Sequence, residues 1–175
     1  MIRWISKKSQ HSAVEDGLPQ IYRRLWRFCM VLTKDRTAAD DLAQAACERA
    51  LVNAAKFSPG TDLDRWVFTI ARRLWLNEIR SRKVRRGEGL VAVEDVDIAD
   101  EKPAIEVNIL AREVLDIVQA LPEAQRLSVL LVYVEGYTYS EAATLLDVPI
   151  GTIMSRLSTV RKLISTYVDD PRNLK

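Results

Sequence analysis

Histidine occurs once in this 175-residue chain, cysteine twice, and glycine and proline six times each. One histidine, His11, near a polar N-terminus cannot assemble a zinc ligand set or a histidine-based acid–base pair. No metal and no cofactor is therefore expected. The cysteines, Cys29 and Cys47, sit inside apolar helical patterns. They read as small core residues of a reduced, cytoplasmic protein and not as a disulfide frame. No apolar run approaches the length of a membrane span, and the N-terminus lacks the apolar core of a secretory signal. No membrane contact of its own is expected. No nucleophile with a base, and no Gly-rich phosphate loop, appears, so an enzyme is the least supported class.

Strand signals are nearly absent. The few glycines and prolines fall between helical patterns, which predicts an all-α protein. Net charge is only +2, but the charges are segregated, and the pattern says more than the sum.

The most informative stretch runs from Thr138 to Ile164. Thr138 and Glu141 have capping-box spacing, so a helix starts at Tyr139. Asp147-Val148-Pro149 ends it, since Asp accepts a left-handed backbone and the residue before Pro leaves the α region. A second helix follows from about Ile150. Ile153, Leu157, Val160 and Ile164 mark its apolar face. Thr152, Ser155, Ser158, Thr159 and Lys162 lie opposite, flanked by Arg156 and Arg161. This is the pattern of a helix-turn-helix whose second helix enters a DNA major groove. A plain helical hairpin with a polar outer face is the competing reading. Small hydroxyl side chains between arginines favour DNA, because bulky ones would block approach to base edges.

Upstream, residues 1–17 read as a flexible lead-in. A helix over 18–32 buries Ile21, Leu25, Phe28, Cys29 and Leu32, with Arg23, Arg24 and Arg27 outward. Thr37 is a plausible cap for the next helix, 38–55. There Leu42, Ala45, Ala46, Arg49 and Ala50 fall near one side. Asp41, Gln44 and Glu48 form a polar stripe, on composition alone a solvated face. A third helix, 63–82, buries Leu63, Trp66, Val67, Ile70, Ala71 and Leu74. Arg73, Asn77 and Arg80 run along its edge, and Arg82, Lys83, Arg85 and Arg86 follow. Seven basic residues thus lie between Arg72 and Arg86, near Trp66 and Trp75. Basic faces with aromatics hold nucleic-acid backbones and stack unpaired bases. Core packing of the tryptophans is the alternative.

Residues 87–106 change character. Glu88, Glu94, Asp95, Asp97, Asp100, Glu101 and Glu106 face only Lys102, with no sustained apolar periodicity. This predicts an acidic linker between an N-terminal domain, 18–86, and a C-terminal one, 107–168, with a frayed tail at 169–175. In the second domain Val107 through Leu121 reads as helical. Pro122 starts a further helix that buries Leu127, Leu130, Leu131 and Val134, and Gly136 stops it.

Three segments, in order, carry a family resemblance. They are Asp-Asp-Leu-Ala-Gln-Ala-Ala-Cys-Glu-Arg-Ala-Leu at 40–51, Arg-Trp-Val-Phe-Thr-Ile-Ala-Arg-Arg-Leu-Trp-Leu-Asn-Glu-Ile-Arg-Ser-Arg at 65–82, and Leu-Pro-Glu at 121–123 with Glu-Gly-Tyr-Thr-Tyr-Ser-Glu-Ala-Ala at 135–143 and Gly-Thr-Ile-Met-Ser-Arg-Leu at 151–157. Over residues 18–168 the chain resembles the sigma-70 family of RNA polymerase sigma factors, in the compact extracytoplasmic-function (ECF) group. The resemblance implies that Asp41, Gln44, Glu48 and Arg49 meet the β′ clamp helices of core polymerase, which also contacts the factor through β. It implies that Trp66, Arg73, Asn77, Arg80, Arg82 and Lys83 open and hold the −10 element, with Asn77 at a captured base. It implies that Thr152, Ser155, Arg156, Thr159, Arg161 and Lys162 meet the −35 element. An anti-sigma factor is an implied partner, and the linker is implied to thread the polymerase channel. Met154, Ser158 and Thr159 depart from the basic or aromatic residues common in the family, and Trp75 stands where a small or aliphatic residue is often found, a change expected to reshape the base pocket. A conventional helix-turn-helix regulator acting without polymerase is the alternative, but it leaves the 65–86 helix unexplained.

Overall fold

The computed structural model describes residues 2–86 and 109–169, which belong to two compact units. The acidic segment 87–106, Val107 and the tail beyond Asp169 lie outside the described residues. Every regular element among the described residues is helical, as the scarcity of strand signals predicts.

The N-terminal unit packs three helices, α1 (Ile2–Thr33), α2 (Arg36–Val52) and α3 (Leu63–Arg86), with a 3₁₀ turn at Ala54–Lys56. The expected lead-in is instead helical, and Val14 within it is fully buried. Gly17 and Pro19, read as a break, lie inside α1. Pro19 removes one backbone N–H. Gly17 serves packing: a Cβ there would come within 2.4 Å of Leu63 Cδ2 on α3.

Leu25, Phe28, Cys29 and Leu32 are buried as their spacing predicts, while Ile21 is half-buried and Leu18 is buried as well. The core centre is an aromatic pair, Phe28 of α1 stacked on Phe68 of α3 at 4.8 Å. Phe68 was absent from the expected stripe, which named Trp66 and Leu63. The buried residues of α3 are Val67, Phe68 and Ala71, so the inward face is rotated from the one expected. Arg24 of α1 pairs with Asp64 of α3 at 2.9 Å.

Asp35, and not Thr37, caps α2: its Oδ1 accepts from the Ala38 N–H at 2.7 Å. Lys34 takes a left-handed φ of 55° to make the turn. On α2, Ala39, Leu42, Ala43, Ala46 and Ala50 face inward. Arg49, expected near that side, is exposed and joins the polar stripe. The small residues bring α2 close to its neighbours, where larger side chains would hold it off.

Burial pushes the Cys29 thiol up from 9.0 to about 12, with Cys47 a smaller contributor. The neutral thiol is thus favoured in the folded state. That stabilisation is complete below pH 9 and is lost as pH rises towards 12. Urea midpoints of the wild type should therefore fall more steeply than those of Cys29→Ala between pH 9 and 10.5. Parallel slopes would refute the assignment.

The C-terminal unit holds α4 (Ile109–Ala120), α5 (Glu123–Val129), a π-helical turn (Leu130–Val134), α6 (Tyr139–Leu146) and α7 (Ile150–Val168). Pro122 stands at the N-cap of α5. Leu127, Leu130 and Leu131 are buried, but Val134 is 58% exposed. The π turn explains it. Glu135 N–H bonds to Leu130 O at 2.9 Å, an i to i−5 link that breaks the 3.6-residue phase. Gly136, at φ 74°, ends the element, and Tyr137 enters the core.

Candidate nucleic-acid and polymerase interfaces

On α7, Ile153, Leu157 and Val160 are buried and Ile164 half-buried, so the apolar face predicted from spacing packs inward. Its anchor is α6. The Thr138 N–H donates to Glu141 Oε2 at 2.8 Å, and the Glu141 N–H to Thr138 Oγ1 at 3.3 Å. Asp147 closes α6 in the left-handed region at φ 51°, and Pro149 caps α7. Cap, turn and second helix thus form a helix-turn-helix, the geometry that presents a second helix to a major groove.

The outward face of α7 carries Ser155, Thr159, Arg161 and Lys162 exposed, with Thr152, Arg156 and Ser158 half-buried. The structure therefore brings all six sequence-predicted residues to one helix. Met154, at 49% exposure, adds an apolar surface beside them. Arg156 makes no hydrogen bond or ion pair with a described residue and is available to an external acceptor.

On α3, Arg73, Asn77 and Arg80 are exposed. Trp66, Arg73 and Asn77 are separated by seven and four residues and so share one side of the helix, away from Val67, Phe68 and Ala71. The Trp66 ring is half-buried and lies 5.3 Å from that of Phe57. Arg82 bonds Glu78 at 2.8 Å and its guanidinium stands 5.7 Å from the Trp75 ring centre. Trp75 does not border Asn77, because residues two apart lie about 200° around a helix. Its indole N–H is buried and finds no partner among the described residues. Lys83 continues the helix.

On α2, Asp41, Gln44, Glu48 and Arg49 are all exposed. Gln44 Nε2 donates to Glu48 Oε1 at 3.0 Å, fixing part of the stripe. Beside it, Trp26 Nε1 donates to Asp40 Oδ1 at 2.6 Å, and Tyr22 is 42% exposed. Desolvation, then the Asp40 carboxylate, raises the Tyr22 phenol above its ordinary value. Tyr22 and Trp26 carry no local signal in the sequence, since an inter-helix contact leaves no local pattern. Among the described residues no group of three His, Cys, Asp or Glu side chains could hold a metal, and no helix is long and apolar enough to cross a membrane.

Residues 18–85 match the family described as Sigma-70 region 2, and residues 111–164 match Sigma-70, region 4. The chain belongs to the sigma-70 family. It is 34% identical to the ECF RNA polymerase sigma factor EcfG of Rhodopseudomonas palustris, covering 90% of this chain and 87% of that one. It is 26% identical to the ECF RNA polymerase sigma factor SigW of Bacillus subtilis, over 94% and 93% of the two chains. Among solved structures, it resembles the sigma factor RpoE crystallised with the anti-sigma factor NepR from Bartonella quintana. That likeness has a TM-score of 0.67 and 25% identity, and covers 90% of this chain and 97% of that one. CnrH, solved with the cytosolic domain of CnrY, shares the fold with a TM-score of 0.61 and 18% identity. The chain is thus an ECF sigma factor, a transcription initiation factor that works with core RNA polymerase on promoter DNA. The N-terminal unit carries region 2 and the C-terminal unit region 4.

Proposed function

We propose a division of labour along the chain. Asp41, Gln44, Glu48 and Arg49 of α2 bind the β′ clamp helices of core polymerase. Trp66, Arg73, Asn77, Arg80, Arg82 and Lys83 of α3 open and hold the −10 element. Thr152, Ser155, Arg156, Thr159, Arg161 and Lys162 of α7 read the −35 element as duplex. An anti-sigma factor holds the protein inactive, a reading supported by the similar sigma factor solved with NepR. The acidic segment 87–106 joins the two units and occupies the polymerase channel.

The observation that carries the −10 assignment is Asn77, exposed on the side of α3 that bears Trp66, Arg73 and Arg80. A carboxamide offers both a donor and acceptors to a base edge. Extruding a base costs a few kcal/mol of stacking, which a pocket and phosphate contacts offset. The test is in vitro transcription from a genomic promoter pool with core polymerase. Discrete new starts are expected with the wild type, and Asn77→Ala should reduce open-complex formation about tenfold while leaving core binding intact. New starts with undiminished opening in Asn77→Ala would remove Asn77 from the −10 contact. Duplex binding without polymerase and without new starts would instead favour a conventional regulator.

A further inference from the structure

We propose that Ser155 and Thr159 act in the −35 major groove as hydrogen-bond acceptors, and so select bases that present an exocyclic amino group, adenine N6 or cytosine N4. The inference rests on the reading of α7 as the −35 helix and deepens it.

A hydroxyl has one proton and two lone pairs. Ser155 Oγ donates its proton to the Thr152 carbonyl at 3.1 Å, and Thr159 Oγ1 donates to the Ser155 carbonyl at 3.0 Å. Both protons are therefore spent within α7. Both residues are exposed, so what the side chains offer outward is lone pairs. In a threonine the branched Cβ limits χ1, which favours this bond to the preceding turn. Turning either proton outward would give up a hydrogen bond already made.

The major groove distinguishes such a group sharply. Adenine N6 and cytosine N4 are the donors there. Guanine N7 and O6, adenine N7 and thymine O4 are acceptors. An acceptor-only hydroxyl pairs with an amino group and meets a guanine edge lone pair to lone pair. Ser155 and Thr159 are one turn apart, about 6 Å along the axis, so they address different base pairs. Arg156 supplies the opposite chemistry, since a guanidinium only donates and suits guanine O6 and N7. The helix thus sorts bases by polarity: guanine beside Arg156, adenine or cytosine beside the two hydroxyls. The Thr159 methyl group adds an apolar contact beside its acceptor.

The test selects −35 sequences from a randomised promoter library with the full-length protein in holoenzyme. Wild type, Ser155→Ala, Thr159→Val and Thr159→Ser are run in parallel, with equal thermal melts as the folding control. Each hydroxyl deletion should relax an adenine or cytosine preference at its own position about tenfold, and Thr159→Ser should restore it. Replacing the selected adenine by purine, or the cytosine by 2-pyrimidinone, removes the amino group alone. Wild-type affinity should then fall about tenfold, and the matching deletion variant should be indifferent. Selection of guanine or thymine at those positions, or wild-type indifference to the amino-free bases, would overturn the inference while leaving −35 readout standing. A wild type that selects no −35 sequence would overturn both.

Discussion

Phe68→Ala should destabilise the N-terminal unit by about 3–5 kcal/mol, the cost of emptying a buried aromatic site. Phe68 is fully buried and stacks on Phe28 with ring planes 14° apart. Both flanking helices depend on that contact, so little of the cavity can close. Whole domains are stable by about 5–15 kcal/mol, and for a unit of this size each kcal/mol moves Tm by about 4–8 °C. The expected drop exceeds about 12 °C. All four tryptophans, Trp4, Trp26, Trp66 and Trp75, precede residue 87. Tryptophan fluorescence therefore reports on this unit alone. A fluorescence midpoint within 3 °C of wild type, with 3 °C an order-of-magnitude threshold of about one half kcal/mol, would show that the pair is not the core's centre.

The second large effect concerns α2. Reversing two exposed carboxylates, Asp41→Arg with Glu48→Arg, should weaken binding to core polymerase at least about thirtyfold. Truncating one partner of an interfacial charge pair costs about 2–5 kcal/mol, and placing like charges together adds to it. Both residues point to solvent, and surface changes of this kind leave folding within about 0.5 kcal/mol. Competition against labelled wild type for core polymerase measures the loss directly, with thermal melts as the control. Unchanged competition would return the stripe to an ordinary solvated face.

Local rules were legible where one segment contains all the partners. Thr138 and Glu141 announce their reciprocal cap, Asp147 its left-handed turn, and Ile153, Leu157 and Val160 their buried face. What required the structure was interaction between segments. Gly17 looks like a terminator until Leu63 is seen against it. Phe68 looks like one more residue of α3 until Phe28 is found on the other helix. Thr37 has the chemistry of a cap, yet Asp35 lies where the chain enters α2, two residues earlier. The site divides in the same way. Ser155, Thr159 and Arg156 can be placed on a face by counting. Which way the hydroxyl protons point depends on rotamers, and no spacing rule contains that. Trp75, which stands where relatives often carry a small or aliphatic residue and was expected to reshape the pocket, lies round the helix from Asn77 with its N–H enclosed.

The π turn at Leu130–Val134 makes the C-terminal unit sensitive to chain length and not only to residue type. A turn that spends one extra residue shifts the rotational phase of the residues it carries by about 100°. No substitution restores that phase, because side chains alter preference and not count. Removing a residue does restore it, and would carry Val134 towards the interior. The fit of this turn to the core is thus set partly by residue count. Insertions and deletions between α5 and α6 are a separate class of change, decisive for which residues of that segment meet the core.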